Sequence, residues 1–240
     1  MRFKMKQVIK IGSSCLFDDG NNINYDVLKE RAREIRSSGY ETILVVSGAI
    51  AYEKWFQGDT RDNDDIDDLE LRSIAEQGQA CLTVLYNDIF GEHLAQMLLT
   101  LEDLEKGFEI RNQLEYNMIN GIQTFINYND GTDFSEGRLD NDIPSAHITD
   151  YISADRLIML GTNDGFRDPE GNLVRRVREV TDEHYSWCRE NGTHGTGGFR
   201  PKLTAAKMVM YRGIKVYVGH VKDSIADIVD GNVDRTLFAK

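Results

Sequence analysis

Cysteine, proline and tryptophan are scarce: three, three and two among 240 residues. Cys15, Cys81 and Cys188 cannot all pair and lie too far apart for a metal-ligand spacing. That excludes a disulfide scaffold and fits a reducing compartment. Long hydrophobic runs are also missing. A stretch such as Thr42 to Ala51 falls far short of the roughly 20 residues a spanning helix needs, so no membrane span is expected. The opening Met1-Arg2-Phe3-Lys4-Met5-Lys6 runs into a β-like segment, not an apolar leader, which predicts an unexported, cytoplasmic protein. Positive charge is in deficit as well. With 28 Lys+Arg against 40 Asp+Glu, 28 − 40 gives a formal net charge of −12. This argues against nucleic acid as the default partner. Any anionic small ligand must then be met by local cationic devices.

What remains is an ordinary globular composition, 40% hydrophobic and 28% charged, at a length suited to one large domain or two small lobes. Gln7-Val8-Ile9-Lys10-Ile11 predicts a first strand ending at Gly12-Ser13-Ser14. Asn24 is a candidate cap for a helix over 25–38, closed by Gly39. Thr42-Ile43-Leu44-Val45-Val46 has no polar face and predicts a central strand of a parallel sheet. Helices are expected over 69–90, 102–120, 142–151 and 202–211. Gln123–Ile126, Arg156–Leu160 and Lys215–Val218 give the third, fourth and fifth strands. The alternation of β and α elements predicts an α/β, three-layer αβα sandwich with a mainly parallel central sheet. The acidic run from Gly58 to Asp68 is expected to be a solvated loop, since its spacing does not fit an EF-hand. No protein metal site is expected.

In open α/β sheets ligands bind beyond the carboxyl ends of the strands. Most predicted strands here end in loops of Gly, Ser, Asn, Asp or Thr. Taken alone, each such loop is more often an ordinary turn than a binding loop; together they mark one edge. Gly195-Thr196-Gly197-Gly198-Phe199-Arg200-Pro201-Lys202 opens a helix. Its glycines let backbone N–H groups approach an anion, and Lys202 adds a full charge. It is not a Walker A sequence, and no Gly-x-Gly-x-x-Gly follows the first strand, which argues against a plain Rossmann dehydrogenase. Lys10 sits in an otherwise apolar strand, as a site lysine or as one whose stem snorkels to water. Asp140-Asn141-Asp142, with Asn127 and Asp130 before it, suits an ammonium-bearing ligand, or serves only as turn and cap residues.

In this order and spacing the segments resemble the glutamate-phosphorylating branch of the amino-acid kinase family. The stretches are Val8–Ser14, Val46–Ala51, Gly78-Gln79, Ala95–Thr100, Arg111-Asn112, Ile126–Asp130, Asp140–Ala146, Ala154–Leu160 and Gly195–Lys202. They favour this branch over the carbamate, uridylate and N-acetylglutamate branches. The resemblance implies phosphoryl transfer from ATP, with Mg²⁺, to the side-chain carboxylate of L-glutamate, a first step towards proline. It implies a single kinase domain over 1–240, with an amino-acid-binding lobe at about 1–150 and a nucleotide-binding lobe at 151–240. It also implies a short form without the C-terminal PUA module, and a homo-oligomer, dimer or tetramer.

Carried over residue by residue, the catalytic group is Lys10, Lys202 and Asp142. Ser47, Asn127, Asp130, Asp140 and Asn141 fall on the substrate side. Lys10, Gly12, Ser13, Gly161, Thr162, Asp164, Gly195, Thr196, Gly197, Gly198, Phe199 and Lys202 fall on the nucleotide side, with backbone N–H groups around Gly12 and Ser13 as donors to the phosphoryl oxygens. The chain departs from the family pattern at Tyr128, where Glu is usual, and at Leu139, where Gly is common. Gly161-Thr162 stands where Thr-Asp is usual. Phe199, Arg200 and Pro201 replace Met, a small residue and Thr. The changes at Tyr128 and Leu139 motivate a different carboxylate acceptor as an alternative. The change at Gly161-Thr162 motivates a non-catalytic ligand sensor.

Overall fold

A computed structural model describes residues 4–133, 140–188 and 198–240. In chain order the elements are β1 (Lys6–Ile11), α1 (Tyr25–Ser37), β2 (Glu41–Val46), α2 (Ala49–Gln57), α3 (Asp68–Phe90), β3 (Ala95–Leu99), α4 (Leu101–Glu105), α5 (Gly107–Ile119) and β4 (Thr124–Tyr128). There follow α6 (Asp142–Tyr151), β5 (Arg156–Gly161), β6 (Arg176–Val177), α7 (Asp182–Ser186), α8 (Phe199–Met210), β7 (Lys215–His220), α9 (Ile225–Asp230) and β8 (Arg235–Phe238). The strands form one sheet in the order β3-β4-β2-β1-β5-β7-β8-β6. Only β7 against β8 is antiparallel among the described pairs.

The central strands alternate buried side chains between two cores, as a sheet covered on both faces requires. Val8, Ile43, Val45, Ile126, Leu157, Met159 and Val218 point to one face and pack under α5, α6 and α8. Ile9, Ile11, Leu44, Val46, Phe125, Ile158 and Leu160 point to the other, under α1, α3 and α9. The three-layer expectation holds. The period of two carries a functional consequence. Lys10 shares the face of Val8, so it points toward α6 and α8, the helices that bear Asp142 and Lys202.

The differences from the expected elements have local causes. The segment over 102–120 divides into α4 and α5. Thr100 and Asp103 form a capping box that starts α4 early, and Gly107 lies against the Tyr151 ring where a Cβ would come within 2.6 Å of Cε1. Helix α8 begins three residues before Lys202. Pro201 is tolerated there because the first-turn N–H groups lack intrahelical partners. Asn24 occupies the N-cap position of α1 but does not cap it. Its Nδ2 donates to the Cys15 carbonyl instead. Strands β3, β6 and β8 were not expected from the sequence.

Gly78 sets the approach of α3 to α2. A Cβ at this position would lie 1.9 Å from the Ala49 carbonyl oxygen. Gly78→Ala is therefore expected to destabilise the chain by about 1–3 kcal/mol through overpacking, although alanine is the better helix former by about 1 kcal/mol. Denaturant unfolding checks it; an unchanged or higher midpoint contradicts the close approach.

Candidate active site

Asp142, the first residue of α6, is fully buried and bridges two lysines from different elements. Its Oδ1 lies 2.9 Å from Lys10 Nζ of β1, and its Oδ2 accepts from Lys202 Nζ of α8 at 3.0 Å. Asp140 stands 3.4 Å from the same Lys10 Nζ, and its Oδ1 also accepts the Asp142 N–H at 2.8 Å. Asp140 is thus part of the lysine clamp's support as well as a cleft residue. Burial works against the Asp142 carboxylate, but the charges of Lys10 and Lys202 override it and hold its pKa below the ordinary value. Burial likewise opposes the Lys10 ammonium, and the charges of Asp142 and Asp140 raise its pKa above the ordinary value. Both ions are therefore stable at neutral pH.

The clamp opens onto a cleft of about 1450 Å³ that runs along the carboxyl ends of the strands. Lys10, Gly12, Ser13, Ser47, Asp130, Asp140, Asn141, Gly161, Thr162, Gly198, Phe199 and Lys202 all line it. The structure brings these residues to one place. Asp142 and Asn127 stand behind that lining, as supports. Asp164 faces a smaller recess of about 520 Å³ with Thr162, Asn163 and His220. Its carboxylate is held there by Arg167 Nη2 at 2.8 and 2.9 Å. Gly12 lines the cleft, but its N–H donates to the Leu160 carbonyl at 3.1 Å. That N–H is already engaged, against the expectation that it donates to a phosphoryl oxygen; Ser13 is the neighbouring candidate. Gly195, Thr196, Gly197 and Leu139 lie outside the described residues.

The structure adds groups the sequence did not indicate. The acidic segment expected to be a solvated loop borders the cleft through Asp59, Asp62, Asp64 and Asp65. Phe166 stacks on Trp187 with centroids 5.7 Å apart and meets Phe199 at 4.8 Å, giving one end of the cleft an aromatic wall. Gln79 supports Asn127; the Gly78-Gln79 pair stood among the family-like segments but carried no assigned role. Among the described residues no group of three or more His, Cys, Asp or Glu could hold a metal ion. Among them, too, no helix is long and apolar enough to cross a membrane.

A buried carboxylate holding two lysines beside a polar, strand-end cleft concentrates positive charge where an anionic ligand could enter. The sequence agrees: residues 5–220 match the amino acid kinase family, and the chain belongs to that family. It is 35% identical to glutamate 5-kinase of Syntrophus aciditrophicus (strain SB), over 96% of this chain and 64% of that protein's length. It is 32% identical to glutamate 5-kinase 2 of Bacillus subtilis (strain 168), over 96% of this chain and 67% of that protein. The chain thus spans about two thirds of these relatives. Its fold is similar to carbamate kinase from Giardia lamblia bound to AMP-PNP, with a TM-score of 0.66, 13% identity and full coverage of both chains. It is also similar to UMP kinase from Ureaplasma parvum, with a TM-score of 0.64 and 17% identity, over 100% of this chain and 98% of that one.

Proposed function

We propose that the chain transfers the γ-phosphoryl group of ATP to the side-chain carboxylate of L-glutamate, giving ADP and γ-glutamyl phosphate, an acyl phosphate on the way to proline. The observation that carries it is Asp142, buried between Lys10 and Lys202 at the cleft. An acceptor carboxylate is already ionised at neutral pH, so no general base is needed. The problem is the approach of two anions. Lys10 and Lys202 supply the opposing charge, and Asp142 keeps both ammonium groups aimed. The lobe over 1–150 takes glutamate, with Ser47, Asp130 and Asn141 at the cleft. The lobe over 151–240 takes ATP, its base at the Phe166–Trp187–Phe199 wall and its phosphates toward Lys202. Mg²⁺ travels with ATP as a counterion of its phosphates. The same proposal includes a cytoplasmic, homo-oligomeric protein. Paired lysines disfavour a non-catalytic sensor, which has no use for them.

Single-turnover reaction with ATP, Mg²⁺ and glutamate, trapped by hydroxylamine as the γ-hydroxamate, tests the assignment. Folded protein that yields no hydroxamate at high glutamate overturns it. The same assay run across other amino acids and acyl carboxylates separates the alternative acceptors. Asp130→Ala is expected to raise the KM for glutamate by about tenfold or more, with a smaller change in kcat, because a hydrogen-bonding site discriminates through groups left unpaired. An unchanged KM removes Asp130 from the acceptor site.

A further inference from the structure

A backbone N–H can only donate, and this orders a row of amides behind the acceptor side of the cleft. The Tyr128 N–H donates to Asn141 Oδ1 at 3.0 Å. Asn141 must therefore turn its Nδ2 to Asn127, and it donates to Asn127 Oδ1 at 2.8 Å. Asn127 then shows its own Nδ2 to Gln79 and donates to Gln79 Oε1 at 2.6 Å. The far end agrees. The Thr83 hydroxyl donates to the Gln79 backbone carbonyl at 2.8 Å, leaving its oxygen to face Gln79 Nε2 at 3.5 Å. The Tyr128 end of the row thus requires Gln79 to offer its carbonyl oxygen inward, and the Thr83 end, whose oxygen also accepts from Gln96 Nε2 at 2.7 Å, is compatible with that orientation. Asn127 and Asn141 are buried, so an unmatched amide there is costly.

The backbone around Gln79 suits this task. Arg72, Glu76 and Gln79 fall on one face of α3 at i, i+4 and i+7. Arg72 donates to the Asp133 carbonyl, Glu76 packs on Gly131, where a Cβ would lie 2.5 Å from its Cγ, and Gln79 meets Asn127. The helix face therefore braces the segment from Asn127 to Asp133. On its other side Gly78 touches Ala49, two residues beyond Ser47.

We infer that Gln79 is a positioning residue for the acceptor carboxylate. Its Oε1 holds Asn127, and through it Asn141, so that Asn141 meets the acceptor with its second amide hydrogen. This rests on the proposed glutamate-phosphorylating function and adds the residue that sets the polarity of its acceptor pocket.

The test compares wild type, Gln79→Leu, Gln79→Ala and Gln79→Glu in the full chain, each checked for folding by circular dichroism and thermal melting. KM for glutamate, KM for ATP and kcat are read from hydroxamate formation. Gln79→Leu and Gln79→Ala, which lack the acceptor, are expected to raise the KM for glutamate by about ten- to a hundredfold. Their KM for ATP should stay within about twofold. Gln79→Glu keeps an acceptor oxygen and is expected to recover most of the loss. The Ala variant carries the test should Leu not fold. With wild type active, an unchanged KM for glutamate in folded Leu or Ala variants overturns the inference alone. So does equal impairment of the Glu variant, or a loss shared equally by ATP. No hydroxamate from wild type overturns the proposed function and this inference with it.

Discussion

Lys10→Ala and Lys202→Ala are each expected to lower kcat by about a hundred- to a thousandfold, the scale of losing one preorganised donor to a developing charge. Lys10 projects from β1 to the face of the sheet covered by α8, which carries Lys202, and both ammonium groups contact one carboxylate. Under the proposed function they act on one transferring group. The double variant should therefore fall less than the product of the single losses. Lys10→Arg should not rescue, because a planar guanidinium cannot take the place of a compact ammonium beside Asp142 and Asp140. Steady-state and single-turnover rates check these outcomes. Near-normal turnover by both alanine variants contradicts charge neutralisation by this pair.

Asp142→Asn is expected to give the largest loss of stability. Asp142 is fully buried and Lys10 nearly so. The amide keeps the shape but leaves Lys10 with only the longer contact to Asp140. Breaking a buried ion pair by removing one partner costs about 3–5 kcal/mol. For a chain of this size that is a fall in Tm of roughly 10 °C. The pH dependence has a definite sign. Asp142 has a folded pKa below its unfolded value. Its contribution is full above the ordinary carboxylate value near ~3.9 and is lost as pH falls through the depressed folded value. Lys10 is shifted upward, so its contribution is full below its ordinary value near ~10.4 and is lost only as pH rises through a still higher one. The gap in Tm between wild type and Asp142→Asn should be constant from about pH 5 to 9 and close in strong acid. A constant gap down to pH 2 contradicts the ion-pair account.

The chemistry at the strand ends was legible because it is written in residue types that strands seldom keep without reason. Lys10 in an apolar strand and Asp140-Asn141-Asp142 before a helix signalled themselves. The alternation that defines β1 also says which face Lys10 takes. The missed strands show where the signal fades. Ala95-Gln96-Met97-Leu98-Leu99 has no β-branched residue and reads locally as helix. Its pairing with β4 along the sheet edge decides otherwise. Strands β6 and β8 are two and four residues long, too short for a period to register. The hydrogen bond from Gly12 to Leu160 and the amide row ending at Gln79 join residues far apart in sequence, so no local window contains them. The acidic run read as solvent-facing because its charge pattern is that of a surface loop; only the fold brings it to the cleft. The overall charge of −12 and the paired lysines thus coexist, one a property of the whole chain and the other of a single local cluster around a buried carboxylate.

The sheet order has a consequence for how the site comes into being. Strand β1 pairs with β2 about a helix and a turn later, but its other neighbour is β5, where Lys10 stands opposite Met159. Such distant pairings slow folding, because the loop between them must close before the contacts reward it. During synthesis the N-terminal lysine would wait on an open sheet edge until the second half of the chain arrived. The second cation comes later still, at residue 202. The lysine–carboxylate clamp is therefore among the last features to form, and a chain made only as far as Asp142 holds that carboxylate with one of its two lysines.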